Sequence, residues 1–306
     1  MNREKFYTNR RNIVLLATLC CILWGSAYPA IKGGYALFNI ATNDIPSKLV
    51  FAGYRFALAG LIVLAVQLMW KQNIFILKGK LIGQVTLLGF CQTTLQYIFF
   101  YIGLSYTTGI RSSIINGTGA FFSILIAHFI YKNDRLNFNK IIGCIVGFIG
   151  VIIVNLNGES FFANSFSIQG EGFVMLAAFI LSVASIYGKE ITQNQDASIV
   201  TGYQLFIGGI ILLILGYIFG GSLSGFNFKS LSLLLYMAFL SSVAFAIWTQ
   251  LLKYNKVGII SVFNFLVPIF GSLLSAIFLG ENIFDIKIFI SLILVCSGIY
   301  MVYKTK

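Results

Sequence analysis

Ten apolar segments follow one another along this chain of 306 residues, joined by connections too short to fold by themselves. They run over roughly 13–32, 47–70, 81–104, 109–131, 138–155, 169–188, 198–219, 230–252, 257–279 and 286–303. Most hold about twenty residues, enough at ~1.5 Å per residue for a helix to cross a hydrocarbon layer of about 30 Å. In such a layer the backbone must satisfy its own hydrogen bonds, so the expected fold class is an all-α integral membrane protein of ten transmembrane helices. The longest connection, about a dozen residues over 155–168, leaves no room for a separate soluble catalytic domain.

Composition agrees. The chain is 58% hydrophobic and 10% charged, against about 25% charged in soluble domains. A net charge of +12 would suggest nucleic acid in a soluble protein, but in a polytopic chain it is first a statement about topology. Fifteen Lys and Arg fall at the N-terminus, at the C-terminus and in alternate connections, whereas the other connections hold only Lys48, Lys229 and Lys287. By the positive-inside bias both termini are cytoplasmic. The expectation is a multi-pass plasma-membrane protein whose surroundings are the lipid bilayer, with no nucleic-acid partner. Arg3, Lys5, Arg10 and Arg11 precede the first apolar run as in a signal peptide. The run continues past the 7–15 residues such a core needs, so it reads as a retained first span. The cysteines, Cys20, Cys21, Cys91, Cys144 and Cys296, lack metal-ligand spacing and read as small core residues. Neither a disulfide, a metal nor a cofactor is expected.

The chain repeats itself. A shift of 149 positions carries Gly53-Tyr54-Arg55 onto Gly202-Tyr203-Gln204, and Gly60 onto Gly209. The same shift carries Gly89, Gln92 and Gln96 onto Ala238, Ser241 and Phe245, and Gly109, Ser112, Phe121 and Ser123 onto Gly258, Ser261, Phe270 and Ser272. Each half, 1–155 and 156–306, holds five segments. An odd number inserts the second half from the opposite side, giving two inverted five-helix repeats. That is the plan of many secondary transporters, whose sites lie near the midplane between the halves.

Arg55 is the cation inside the second segment. A charge there costs about 3 kcal/mol by insertion scales, so it should face protein or a watery cavity. The alternative is a stem that snorkels to the headgroups. Ala52 and Ala59 flank Arg55 on one face and leave room for a guanidinium or a neighbouring backbone. In the first segment Trp24 and Tyr28 share a face beside Gly25 and Pro29. A break at the proline would present rings and free carbonyls to a solute, while a simple kink would only help packing. Lys32 is read as snorkelling. Gln92 and Gln96 share a face of the third segment, and Ser112, Asn116 and Ser123 a face of the fourth; Gln204, Trp248, Gln250, Asn264 and Pro268 are their second-half counterparts. Any one amide can be interhelical glue worth about 0.6 kcal/mol. Their convergence across repeat-related segments favours a cavity lining. The candidate substrate-binding set is Trp24, Tyr28, Arg55, Gln92, Gln96, Asn116, Gln204, Trp248 and Asn264. Guanidinium, amides and rings together suit a zwitterionic or carboxylate-bearing metabolite. His128, the single histidine, is read as a structural imidazole, and Glu171 as an interfacial charge at a helix N-terminus. Gly143, Gly147 and Gly150, with Gly216 and Gly220, permit close helix contact within one chain and leave a homodimer open.

Trp24-Gly25 followed by Lys32, the run from Tyr54 to Gly60, Asp134-Arg135-Leu136, and Gly280-Glu281 after Pro268 together resemble the EamA-type drug/metabolite transporter superfamily. The resemblance covers nearly the whole chain. It implies two inverted five-helix halves around a central cavity, with the fifth and tenth spans peripheral, and export of a small metabolite such as an amino acid by alternating access. A passive channel is the rival reading. A membrane-embedded enzyme would need nucleophiles, paired carboxylates or metal ligands at depth; the sequence holds one histidine, no His-Glu-x-x-His and no Gly-x-Ser-x-Gly. No enzymatic activity is expected.

Overall fold

A computed structural model describes residues 3–75, 77–107, 112, 115–155, 167–279 and 286–304 of the protein. Arg111, Gly109, Gly280, Glu281 and the connection around 155–168 fall wholly or largely outside these residues. Among the described residues all regular structure is helical. A short α1 (Arg3–Thr8) leads into α2 (Arg10–Leu37) and α3 (Ile45–Met69). The third apolar segment forms α4 (Lys80–Gly89) and α5 (Gln96–Tyr106), joined by a π-helical stretch over Phe90–Leu95. There follow α6 (Gly119–Ile130), α7 (Phe138–Asn155), α8 (Phe173–Gln193) entered through a π turn at Ile168–Gly172, α9 (Ala197–Ile218) and α10 (Phe228–Tyr254). The ninth segment is α11 (Val257–Ser261), a 3₁₀ turn (Val262–Phe265) and α12 (Leu266–Leu279); α13 (Ile286–Tyr303) is last. Among the described residues, six helical stretches are long and apolar enough to cross a membrane, and four shorter apolar helices accompany them.

The helix starts are written locally. Asp44 caps α3 through Ser47 N at 3.0 Å, Asp196 caps α9 through Ser198 N and Ile199 N, and Asn227 forms a capping box with Ser230 at α10. Pro29 does not break its helix, contrary to one of the two expectations: α2 is continuous through it. The proline ring removes only the amide that the Gly25 carbonyl would have accepted.

Glycines set the closest helix contacts. A Cβ on Gly60 would lie 2.4 Å from Phe206 N and 2.5 Å from Gly202 O, and one on Gly209 2.3 Å from Ala57 N. Gly53 meets Gly209 O and Leu213 N in the same way. Thus α3 and α9 run antiparallel with backbones in contact. At the other side of the bundle Gly143 meets Gly298 O, and Gly150 meets Ser291 O, so α7 and α13 are antiparallel as well. These glycines are spent inside the chain.

Polar ties gather at the end of the bundle that holds both termini. Arg3 pairs with Asp196 at 2.7 Å. Tyr7 stacks on Tyr254, and the Asn255 amide donates to Tyr7 O at 2.9 Å. Asp134 is buried; it takes Lys140 Nζ at 2.6 Å and Gly258 N at 2.9 Å. His128 Nδ1 accepts from Leu136 N at 3.1 Å, a structural imidazole with its proton on the other nitrogen. Glu171 is buried at the π turn before α8, at the helix start, accepting from Thr107 Oγ1 and Ser167 N.

Candidate functional site

Arg55 is 2% exposed, which excludes the snorkelling alternative. Ala52 and Ala59, flanking it on α3, are fully buried, so the side chain has space inside the bundle instead of a route along it. Its Nε donates to Ser241 Oγ on α10 at 2.8 Å, and that hydroxyl in turn donates a hydrogen bond to Met237 O. The guanidinium carbon lies 4.8 Å from the centre of the Phe56 ring. No carboxylate pairs with it among the described residues. One of its five N–H donors is therefore engaged there.

Three tyrosines surround this charge. The guanidinium acts electrostatically on the hydroxyls of Tyr35, Tyr97 and Tyr101. The Tyr35 and Tyr101 hydroxyls face each other out of hydrogen-bond geometry, and both are buried without a partner. The Gln96 Oε1 atom, beside Tyr97 on α5, is likewise buried and unpartnered. Buried polar atoms are nearly always satisfied, so the Tyr35 and Tyr101 hydroxyls beside a cation with no carboxylate partner among the described residues mark a place for a polar guest or water.

An aromatic wall continues from Arg55 along the interior. Tyr97 lies 4.6 Å from Phe56, Phe245 6.2 Å from Phe56, Trp24 5.5 Å from Phe245, and Trp248 5.0 Å from Trp24. Tyr28 rests over Gly271, where a Cβ would come within 3.0 Å of its ring, and its hydroxyl interacts with the Asn116 side chain and with Tyr97. Five of the nine residues singled out in the sequence, Trp24, Tyr28, Arg55, Asn116 and Trp248, thereby share one aromatic-lined region. Gln96 supplies a free acceptor in the helical turn that carries Tyr97.

The remaining three do not join them. Gln92 Nε2 turns to Ser185 Oγ on α8 at 3.4 Å. Gln204 Oε1 accepts from Thr93 Oγ1 at 2.9 Å inside the α9 contact. Asn264 is half-buried in the 3₁₀ turn; its carbonyl accepts from Leu266 N, and its side chain makes no hydrogen bond among the described residues. Sequence reasoning passed over Tyr35, Phe56, Tyr97, Tyr101, Ser241 and Phe245. The four-residue spacing of Tyr97 and Tyr101, and the repeat relation of Ser241 to Gln92, were the signals available.

The model of the EamA-like transporter family matches residues 11–156 and again 168–304. An uncharacterized transporter of Archaeoglobus fulgidus is 27% identical over 94% of the chain and 96% of its own length. A Salmonella typhimurium protein named "Probable amino-acid metabolite efflux pump" is 24% identical over 94% of the chain and 93% of its own length. A protein of known crystal structure superposes with a TM-score of 0.79 over 96% of both chains, at 15% identity, a likeness of fold.

Proposed function

The chain belongs to the EamA-like transporter family, and from that premise we propose that it is a secondary transporter that exports a small carboxylate-bearing metabolite, such as an amino acid, by alternating access. The observation that carries this reading is Arg55, a buried cation with no carboxylate partner among the described residues and two unpartnered phenols beside it. A carboxylate fits all of these groups, since it accepts the spare guanidinium and phenol protons together. The ring faces of Trp24, Phe245, Phe56 and Tyr97 offer an apolar or cationic remainder its contact.

The fold proposed to do this has ten spans in two inverted repeats, 1–155 and 156–306, in the plasma membrane with both termini cytoplasmic. The family model's two matches, one in each half, support the duplication. The antiparallel contacts of α3 with α9 and of α7 with α13 support the inversion, because each pair joins segments of equal rank in the two halves. Alternation would open and close the polar ties at the terminal end, which link halves through Arg3 with Asp196 and Asp134 with Gly258. The reading gives the chain no enzymatic role.

The test is metabolite release from cells with and without the protein, followed by counterflow of each candidate in proteoliposomes. A carboxylate-bearing solute that accumulates against a preloaded pool supports the proposal. Flux that rises linearly without exchange would make the protein a channel. Release confined to compounds lacking an anionic group would remove Arg55 from the role given to it.

A further inference from the structure

Lys48 precedes Arg55 on α3 by seven residues, two helical turns, so the two cations share one face about 10 Å apart along the axis. Lysines in the first turn of a membrane helix ordinarily reach outward to the headgroups. This one is 6% exposed. Its ammonium donates to Thr42 O at 2.5 Å and lies 5.4 Å from the centre of the Tyr35 ring. The adjacent acid, Asp44, is occupied with Ser47 N and forms no ion pair with Lys48.

The position is unfavourable for a cation, with the capping Asp44 the one acid among the described residues acting against the cost. It is withdrawn from water, and it stands at the positive end of the α3 dipole. Tyr35 connects it to the site. The ring of Tyr35 faces Lys48, while its unpartnered hydroxyl faces that of Tyr101 beside Arg55. Tyr35 therefore stands between two buried positive charges, toward the end of the bundle away from the termini.

The geometry points to Lys48 as a second anion station, to which a carboxylate held at Arg55 passes when Tyr35 swings aside on its way out of the bundle. This inference rests on Arg55 being an anion anchor. Two stations solve a problem that one deep charge creates: a solute bound tightly enough to be selected must still leave, and a neighbouring site of like sign lets it do so in steps.

A test independent of substrate identity reads the local potential. Ala52 lies on α3 between the two cations and is fully buried in this conformation, so a thiol there is modified only when the passage opens. Ala52→Cys is made in a protein whose Cys91 and Cys296 are replaced by alanine, with the buried Cys20, Cys21 and Cys144 kept. The new thiol is treated with an anionic (sulfonatoethyl) and a cationic (trimethylammonioethyl) methanethiosulfonate in proteoliposomes. The expected result is preference for the anionic reagent, with Lys48→Met lowering the anionic-to-cationic rate ratio roughly tenfold, the effect of one unit charge about 6 Å away in a watery path. Lys48→Arg should hold the ratio within about twofold. Arg55→Gln measures the other charge separately. A ratio that falls with Arg55→Gln and ignores Lys48→Met overturns the second station and leaves the anchor standing. A ratio that responds to Lys48 alone keeps the station and removes the anchor. No modification by either reagent from either side overturns the passage itself.

Discussion

Arg55 Nε donates to Ser241 Oγ at 2.8 Å, and this bond has a counterpart across the repeat. Shifting Arg55 by 149 positions gives Gln204, and shifting Ser241 back gives Gln92. The residue that meets Gln204 is Thr93, one position beyond Gln92. The displacement has a local cause: Phe90–Leu95 is π-helical, and a π turn places an extra residue in the helix and rotates the side chains beyond it. The first half thus presents Thr93 and Thr94 to α9, where they donate to Gln204 Oε1 and Gly208 O. One side of the pseudo-symmetric pair is neutral and closed. The other holds a buried cation with no carboxylate partner among the described residues.

Removing the charge should separate stability from transport. Arg55→Gln recreates the neutral side of the pair and relieves a buried, uncompensated guanidinium. Thermal stability of the purified protein should rise by about 1 kcal/mol or more, since replacing buried charge by neutral groups is often stabilising. Transport should vanish with membrane abundance intact, for Arg55→Gln and Arg55→Ala alike. A destabilised Arg55→Gln protein would mean that the charge is already paired.

Ser241→Ala tests orientation instead of charge. The guanidinium keeps its place but loses its one anchor, a charge-assisted bond worth about 1.5–3 kcal/mol. KM for the substrate should rise several-fold with the charge retained, and Ser241→Thr should restore much of it. Thr93→Val, on the closed side, should lower stability by about 1 kcal/mol without moving KM. Equal KM changes on both sides would make the two bonds alike in purpose.

The contrast between these sides was half legible in the sequence. The repeat aligned Arg55 with Gln204, and Gly53 and Gly60 with Gly202 and Gly209, because small and charged residues stand out in an apolar segment. The same reasoning could not separate Gln96, with its free acceptor, from Gln92 and Gln204, which bond neighbouring helices. An amide that lines a cavity and one that glues helices have the same periodicity. Tyr35, Tyr97 and Tyr101 gave no contrast in a chain that is 16% aromatic. The π turn was invisible for a related reason: adding one residue to a turn leaves an almost uniformly apolar run looking the same.

The glycine contacts predict a steep positional difference. A side chain at Gly60 or Gly209 would strike backbone at 2.4 and 2.3 Å, so Gly60→Val or Gly209→Val must separate α3 from α9. Loss of folded protein from detergent extracts is expected for each. Gly83, in α4, has nothing within 4 Å of its would-be Cβ. There Gly83→Ala should be neutral or stabilise by up to about 1 kcal/mol, the ordinary helix preference of alanine. Comparable losses at all three positions would contradict the close approach of α3 and α9.

Asp134 and Lys140 form a buried pair that also holds the start of α11, through Gly258 N. Lys140 has a second acceptor in Arg135 O at 2.8 Å, so every part of the cluster is interlocked across the α6–α7 connection and the other half of the chain. Asp134→Ala would leave a buried ammonium without its counter-charge and the Gly258 amide without its acceptor, a loss of about 3–5 kcal/mol. Neutralising both partners is a different matter, because desolvation of the two charges offsets much of their attraction. Asp134→Asn with Lys140→Met should recover more than half of that loss, since the asparagine oxygen still accepts from Gly258 N. Denaturation midpoints of the two single variants and the double variant measure the coupling directly. If the double variant is as unstable as the sum of the singles, the two side chains act independently, and the tie between α11 and the α6–α7 connection would have to be carried by other contacts.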